Sequence, residues 1–354
     1  NLWSSRDVLK DMRFFLHLNP KGIFIAAMTV MAFAWGTSSL KAQDMHFTQY
    51  NAAPTSINPG YVGSTGQARA VTLYRAQWAS LPQAYTGFQI AYDRPTFDHN
   101  GGIGVLISHE EAGAGALRAS RVAFQYAYEF QLGPRTFVRP ALQIGLVSRS
   151  VNLNALTFMD QLLRNDAPTT LEQGLGTGKQ YIDMGSGFLI VSRKSWFGLS
   201  ADHLNTPNHS ISHEYAEKLE MRLSAHGGGR MSLKRGPKAK HTKDIVFAFN
   251  YTNQGLFDQL DLGAYYDLNI MTVGVWYRGI PVLQHAADGS IDIDAVSFVF
   301  GFGNKMWRMG YSYDLTLSKL GIATSGGSHE ISLKYLWDVS KKDGPPAYHP
   351  CVDY

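Results

Sequence analysis

A single cysteine, Cys351, stands in 354 residues, so no internal disulfide can hold this chain together. Charge is also scarce. Asp, Glu, Lys and Arg make up 17% of the residues, against roughly 25% in ordinary soluble domains. The net charge of +4 is small for this length, and no Lys/Arg cluster is interleaved with stacking aromatics, so no nucleic-acid partner is expected. A long apolar run is missing as well. Gly22–Trp35 is the length of a signal-peptide core and falls short of the roughly 18 uninterrupted apolar residues of a spanning helix. Arg13 and Lys21 precede it and Ala42 follows, which predicts upstream residues and a secretory signal over 1–42, cut near Ala42-Gln43. The chain lacks an initial Met, and Met12 is the expected true start.

The motifs of common catalysts are absent too. Gly174-Leu175-Gly176-Thr177-Gly178-Lys179 has Gln173 and Gln180 where a phosphate loop needs Gly and Ser/Thr, so it reads as an outer loop. The densest histidine group, His203, His209 and His213 beside Asp202, lacks the spacing of a zinc helix or knuckle. No Gly-x-Ser-x-Gly elbow occurs. The chain is expected not to be an enzyme, with no catalytic residue, cofactor or metal assigned. A Ser such as Ser200 or Ser210 would have to carry any outer-membrane hydrolase chemistry.

What the sequence does contain is alternation. In Ser328–Trp337 the side chains of Ile331, Leu333, Tyr335 and Trp337 fall on one face and Glu330, Ser332 and Lys334 on the other. The same lettering recurs at Trp307, Met309, Tyr311, Tyr313 and at Val122, Phe124, Tyr126, Tyr128. With 19 Phe, 18 Tyr and 7 Trp, repeated dyads ending in aromatics predict a closed transmembrane β-barrel, polar inside and apolar outside. About fourteen strands are expected: 67–78, 84–93, 102–110, 116–131, 136–150, 181–193, 195–203, 219–233, 243–254, 258–267, 270–278, 290–303, 305–315 and 329–338. An antiparallel sandwich is the soluble alternative, but it gives no reason for connections that alternate long (151–180, 204–218, 279–289, 316–328) and short (Gly133-Pro134-Arg135, Arg193-Lys194, Asn269, Gly303-Asn304), with 94–101 and 234–242 as exceptions. The inward candidates Arg121, Glu129, Arg139, Asp183, Asp202, Glu220, Arg222, Asp261, Asp267, Arg278, Arg308, Asp314, Glu330 and Lys334 carry both signs, as ion pairs in a plugged lumen or as the lining of a channel. The run Gly227-Gly228-Gly229 is expected to mark a bend or bulge.

Residues 43–66 have no sustained period and read as an ordered leader lying against something, and 339–354 as a C-terminal tail. Gln43-Asp44, Phe47-Thr48-Gln49-Tyr50, Pro54, Ile57-Asn58-Pro59-Gly60-Tyr61 and Gly63-Ser64 resemble the mature N-terminus of the PorP/SprF family of Bacteroidetes outer-membrane proteins. Tyr74-Arg75-Ala76-Gln77-Trp78, Tyr92-Asp93-Arg94-Pro95, Gly101-Gly102-Ile103-Gly104, Tyr311-Ser312-Tyr313-Asp314 and Gly326-Gly327-Ser328-His329-Glu330-Ile331-Ser332-Leu333 extend the resemblance in order over nearly all of the mature chain. It implies a non-enzymatic barrel of the type IX secretion and gliding machinery, in contact with outer-membrane lipid, periplasmic lipoprotein components and secreted adhesin cargo. Both termini would be periplasmic. Tyr50, Ile57, Asn58, Pro59 and Tyr61 are the candidate partner-binding residues, their aromatics able to bury large areas; the alternative is that they pack under the barrel mouth. A channel for small solutes is the competing function.

Overall fold

The computed structural model describes residues 45–81, 84–96, 100–113, 117–152, 156–157, 159–164, 178–211, 216–233, 243–279, 293–317 and 322–339. The expected signal segment 1–42 and all of the tail 339–354 beyond Val339 lie outside them. Fourteen antiparallel strands follow in order: β1 (Ala68–Gln77), β2 (Tyr85–Thr96), β3 (Gly101–Ala112), β4 (Leu117–Tyr128, interrupted at Glu129 and continued as Phe130–Gly133), β5 (Thr136–Val151), β6 (Gly178–Val191), β7 (Ser195–Asp202), β8 (Arg222–Ser232), β9 (Asp244–Gln254), β10 (Phe257–Asp267), β11 (Met271–Gly279), β12 (Ile293–Gly303), β13 (Trp307–Thr316) and β14 (Ser328–Trp337). Each strand pairs with its neighbours in sequence, and β1 closes the barrel on β14 from Ala68↔Trp337 to Gln77↔Ser328. Closure pairs the two edges that an open sheet would leave exposed.

The connections sort by end. At the end where β1 starts and β14 stops they are 97–100, 134–135, 192–194, 268–270, 304–306 and the longer 233–243; we call this the turn side. At the loop side they are 78–84, 113–116, 152–177, 203–221, 255–256, 280–292 and 317–327. One expected exception vanishes, because β2 runs on through Pro95, which faces Gly102, and the connection shrinks to 97–100. The glycine run in β8 also differs from expectation. Gly227, Gly228 and Gly229 keep regular register with both β7 and β9, so there is no bulge. A Cβ on Gly228 would meet the Trp196 ring and the Phe247 carbonyl, so the glycine makes room for an inward tryptophan.

The two faces follow the alternation. Phe124 (62% exposed), Leu142 (66%) and Leu333 (49%) point outward, while Gln125, Gln143, Glu330, Ser332 and Lys334 are buried. Rings cluster at the turn-side rim, with Tyr92 against Trp337, Phe302 against Trp307 and Tyr128 against Phe130, the aromatic girdle of a membrane barrel. Glu220 departs from its expected inward place. It is exposed on the loop before β8, which starts only at Arg222.

Candidate functional site: the leader in the lumen

Residues 45–66 of the leader lie inside the barrel. Two 3-10 turns, Pro54–Ser56 and Pro59–Tyr61, each start with a proline, whose fixed φ suits the first position of a turn. Asn58 caps the second, its Oδ1 accepting from Gly60 N–H at 2.7 Å, while its Nδ2 donates to the carbonyls of Phe188 (3.1 Å) and Leu199 (3.0 Å) on β6 and β7. The short turns satisfy part of the leader's own backbone, and the wall must satisfy the rest, since a buried unpaired polar group is costly.

At the loop side the leader is held by charge. Two guanidinium groups, Arg75 and Arg278, and three carboxylates, Asp261, Asp314 and Glu330, surround Thr48 and Tyr50. Arg75 reaches Asp314 at 2.7 Å and Glu330 at 3.2 Å, and Arg278 reaches Asp261 at 3.3 Å and Asp314 at 3.4 Å. The Thr48 hydroxyl donates to Asp314 (2.9 Å) and accepts from Arg75 (2.8 Å) and Arg278 (3.0 Å), which uses its full hydrogen-bonding capacity. The two oxygens of Glu330 accept the consecutive backbone N–H groups of Thr48 (2.7 Å) and Gln49 (2.9 Å). Gln49 is further tied to Ser332, whose hydroxyl donates to its Oε1 at 2.6 Å. The Tyr50 hydroxyl donates to Asp261.

A second clamp lies at the turn side. Asp93 takes Arg69 Nε at 2.8 Å and Gly63 N–H at 2.7 Å, and Arg69 also donates to the Tyr61 carbonyl at 3.3 Å. Arg139 donates to the carbonyls of Gly60 (2.9 Å) and Val62 and pairs with Glu129. Gly63, at φ +70°, sits against the Gly102 backbone, a conformation and an approach that suit glycine. Between the clamps, Gln125 donates to the Thr55 carbonyl (2.9 Å) and to Gln143 (2.6 Å), Gln143 to Asp202 (3.1 Å), and Ser200 to the Ile57 carbonyl (2.7 Å). An apolar cluster joins Tyr50, Ile57 and Tyr61 to Leu189, Val191, Trp196, Val246, Tyr265 and Trp276, and a second joins Phe47, Ala52 and Ala53 to Val71, Leu73, Ala91 and Leu106.

The five candidate partner residues are therefore brought together, but within the lumen. Tyr50, Asn58, Pro59 and Tyr61 are buried, Ile57 is half-buried, and all five face the barrel's own wall instead of an outer surface. An aperiodic segment carries no face signal, so only tertiary contacts decide its place. Arg69, Arg75 and Asp93 belong to the site and were missed as inward charges. Their alternation with outward Tyr74 and Tyr92 was the available signal. Of the histidine group, His203 bonds Asp183 at 2.8 Å and His209 lies 3.7 Å from Glu217, while His213 lies outside the described residues. No group of three metal-ligating side chains forms among the described residues.

The words that resemble a family thus meet in space. Phe47–Tyr50 docks on Asp314 and Glu330, Ile57–Tyr61 on Arg139 and β6, and Gly63 on Asp93 and Gly102. The family model described as "Type IX secretion system membrane protein PorP/SprF" matches residues 39–335. This chain belongs to the PorP/SprF family. Its place is therefore among membrane proteins of type IX secretion, as a β-barrel. No curated protein matches the sequence. Solved structures that it is similar to include the CymD monoaromatic hydrocarbon channel (11% identity, TM-score 0.45, 81% of this chain and 93% of that one) and the Ralstonia pickettii toluene transporter TbuX (11%, 0.44, 82% and 94%). The Pseudomonas putida toluene transporter TodX is another (9%, 0.44, 84% and 95%). At that distance their transport roles say nothing about this PorP/SprF member.

Proposed function

We propose that this protein is a closed, non-enzymatic outer-membrane barrel that scaffolds periplasmic lipoprotein components of the type IX secretion machine and helps to secrete or anchor surface proteins such as adhesins. The observation that supports this reading best, beyond family membership, is the leader clamped at both ends of the lumen. A solute moving along the axis would have to displace a segment already hydrogen-bonded to the paired charges of the wall. The turn side, where β14 ends, faces the periplasm and its partners in this reading, and the long loops face outward, as in bacterial barrels with short periplasmic turns. Ser200, a candidate hydrolase nucleophile, spends its hydroxyl on the leader.

The test is a quantitative comparison of surface and secreted proteins between a parent strain and one lacking the gene. Loss of many secreted proteins marks core machinery, and loss of one large adhesin marks a dedicated partner of that cargo. An unchanged profile contradicts the proposal and favours a solute channel.

A further inference from the structure

The two clamps differ in kind. At the turn side the leader runs straight into β1, so Tyr61–Gly66 is held both by Asp93 and Arg139 and by the covalent chain. At the loop side Met45–Tyr50 is held by noncovalent contacts, among them those to Gly87, Arg75, Asp261, Arg278, Asp314 and Glu330. Those partners lie one or two residues from the loop-side ends of β1, β2, β11, β13 and β14, apart from Asp261, which faces Arg278 across β10 and β11. Arg69 and Arg75, which serve the two clamps, are six positions apart on β1, about 20 Å along the strand. The leader is thus threaded lengthwise, tethered at the turn side and latched at the loop side.

We propose that the barrel carries a latent aqueous pore, opened when the latch around Thr48 and Gln49 lets go and residues 45–50 swing out of the loop-side lumen, joining it to the turn-side cavity lined by Gly66, Arg230, Asp244, Arg308 and Lys334. The latch is polar by construction. Glu330 holds two consecutive backbone N–H groups, and the Thr48 hydroxyl bridges both arginines to Asp314. These groups exchange for water, while Phe47 and Tyr50 leave the apolar clusters in which they pack. The walls they would leave, Arg75, Arg278, Asp261, Asp314 and Glu330, are those of a hydrated channel. The inference rests on the closed-barrel reading of the lumen, and is independent of which proteins depend on the barrel for secretion.

Planar-bilayer recording on the full purified chain tests it. The parent should be silent, while Glu330→Ala, and separately Thr48→Ala with Gln49→Ala, should show ion-conducting openings. The second variant leaves every buried charge in place, so it decides the matter if Glu330→Ala does not fold. A lock follows from Met45, whose Cγ lies 3.6 Å from where a Cβ on Gly87 would be. Met45→Cys with Gly87→Cys, in a Cys351→Ser background, should silence the latch variant when oxidised and release it on reduction. Folded latch variants that stay silent, or openings unaffected by the lock, overturn the proposal. A changed secretome in the gene deletion would stand in either case, so the two readings fail separately.

Discussion

Single side chains in this barrel are decided by which side of the wall they face. Leu333 is in mid-strand on the outer face, and Leu333→Arg should destabilise the folded barrel by about 2–4 kcal/mol, while Met306→Arg at the turn-side rim should cost at most about 1 kcal/mol. Denaturant unfolding in lipid vesicles checks the pair, and equal costs would refute the face assignment. Inward positions are not tolerant by default. Gln125 and Ser332 face away from lipid, yet each is tied to the leader, so charge there must break contacts as well as find water. Glu330→Ala, which leaves Arg75 with Asp314 alone and the Thr48 and Gln49 N–H groups without their acceptor, should cost about 2–5 kcal/mol in the same assay, and a loss below 1 kcal/mol would mean that the clamp is not formed.

Strands were legible and the leader was not, for reasons that belong to the element. A period of two marks a wall between lipid and a polar interior, and all fourteen strands lie within a few residues of where alternation puts them. Errors fell at ends, as at β2, whose Pro95 looked like a turn residue but sits paired beside Gly102. Residues 45–66 carry no period because their neighbours come from both ends and many strands of the lumen. Their order was readable, but their place was not. Likewise the glycines of β8 were noticed for the wrong reason, since the residue that needs Gly228 is Trp196, across the pair from it. Gly228→Leu should consequently force Trp196 out of its site and cost about 1–3 kcal/mol or more by overpacking. Unfolding midpoints compared with Gly229→Leu, where a Cβ would meet only the Lys194 carbonyl at 3.6 Å, measure it; similar losses at both would argue against the tryptophan contact.

For the whole molecule, the sequence resemblance named a secretion barrel, and the structure explains what its scattered words have in common: they are two halves of one contact, a leader and the wall that holds it. The most direct measurement is whether that contact exists in the cell. A Cβ on Gly87 would lie 3.6 Å from Met45 Cγ, the nearer Met45 atoms being removed by the substitution, so Met45→Cys with Gly87→Cys in a Cys351→Ser background should cross-link within the chain. Near-complete disulfide formation in barrel extracted from intact cells, seen as a mobility shift that reductant reverses, is the predicted result. A folded barrel whose two cysteines remain free would show that the leader is not in the lumen, and would contradict the account.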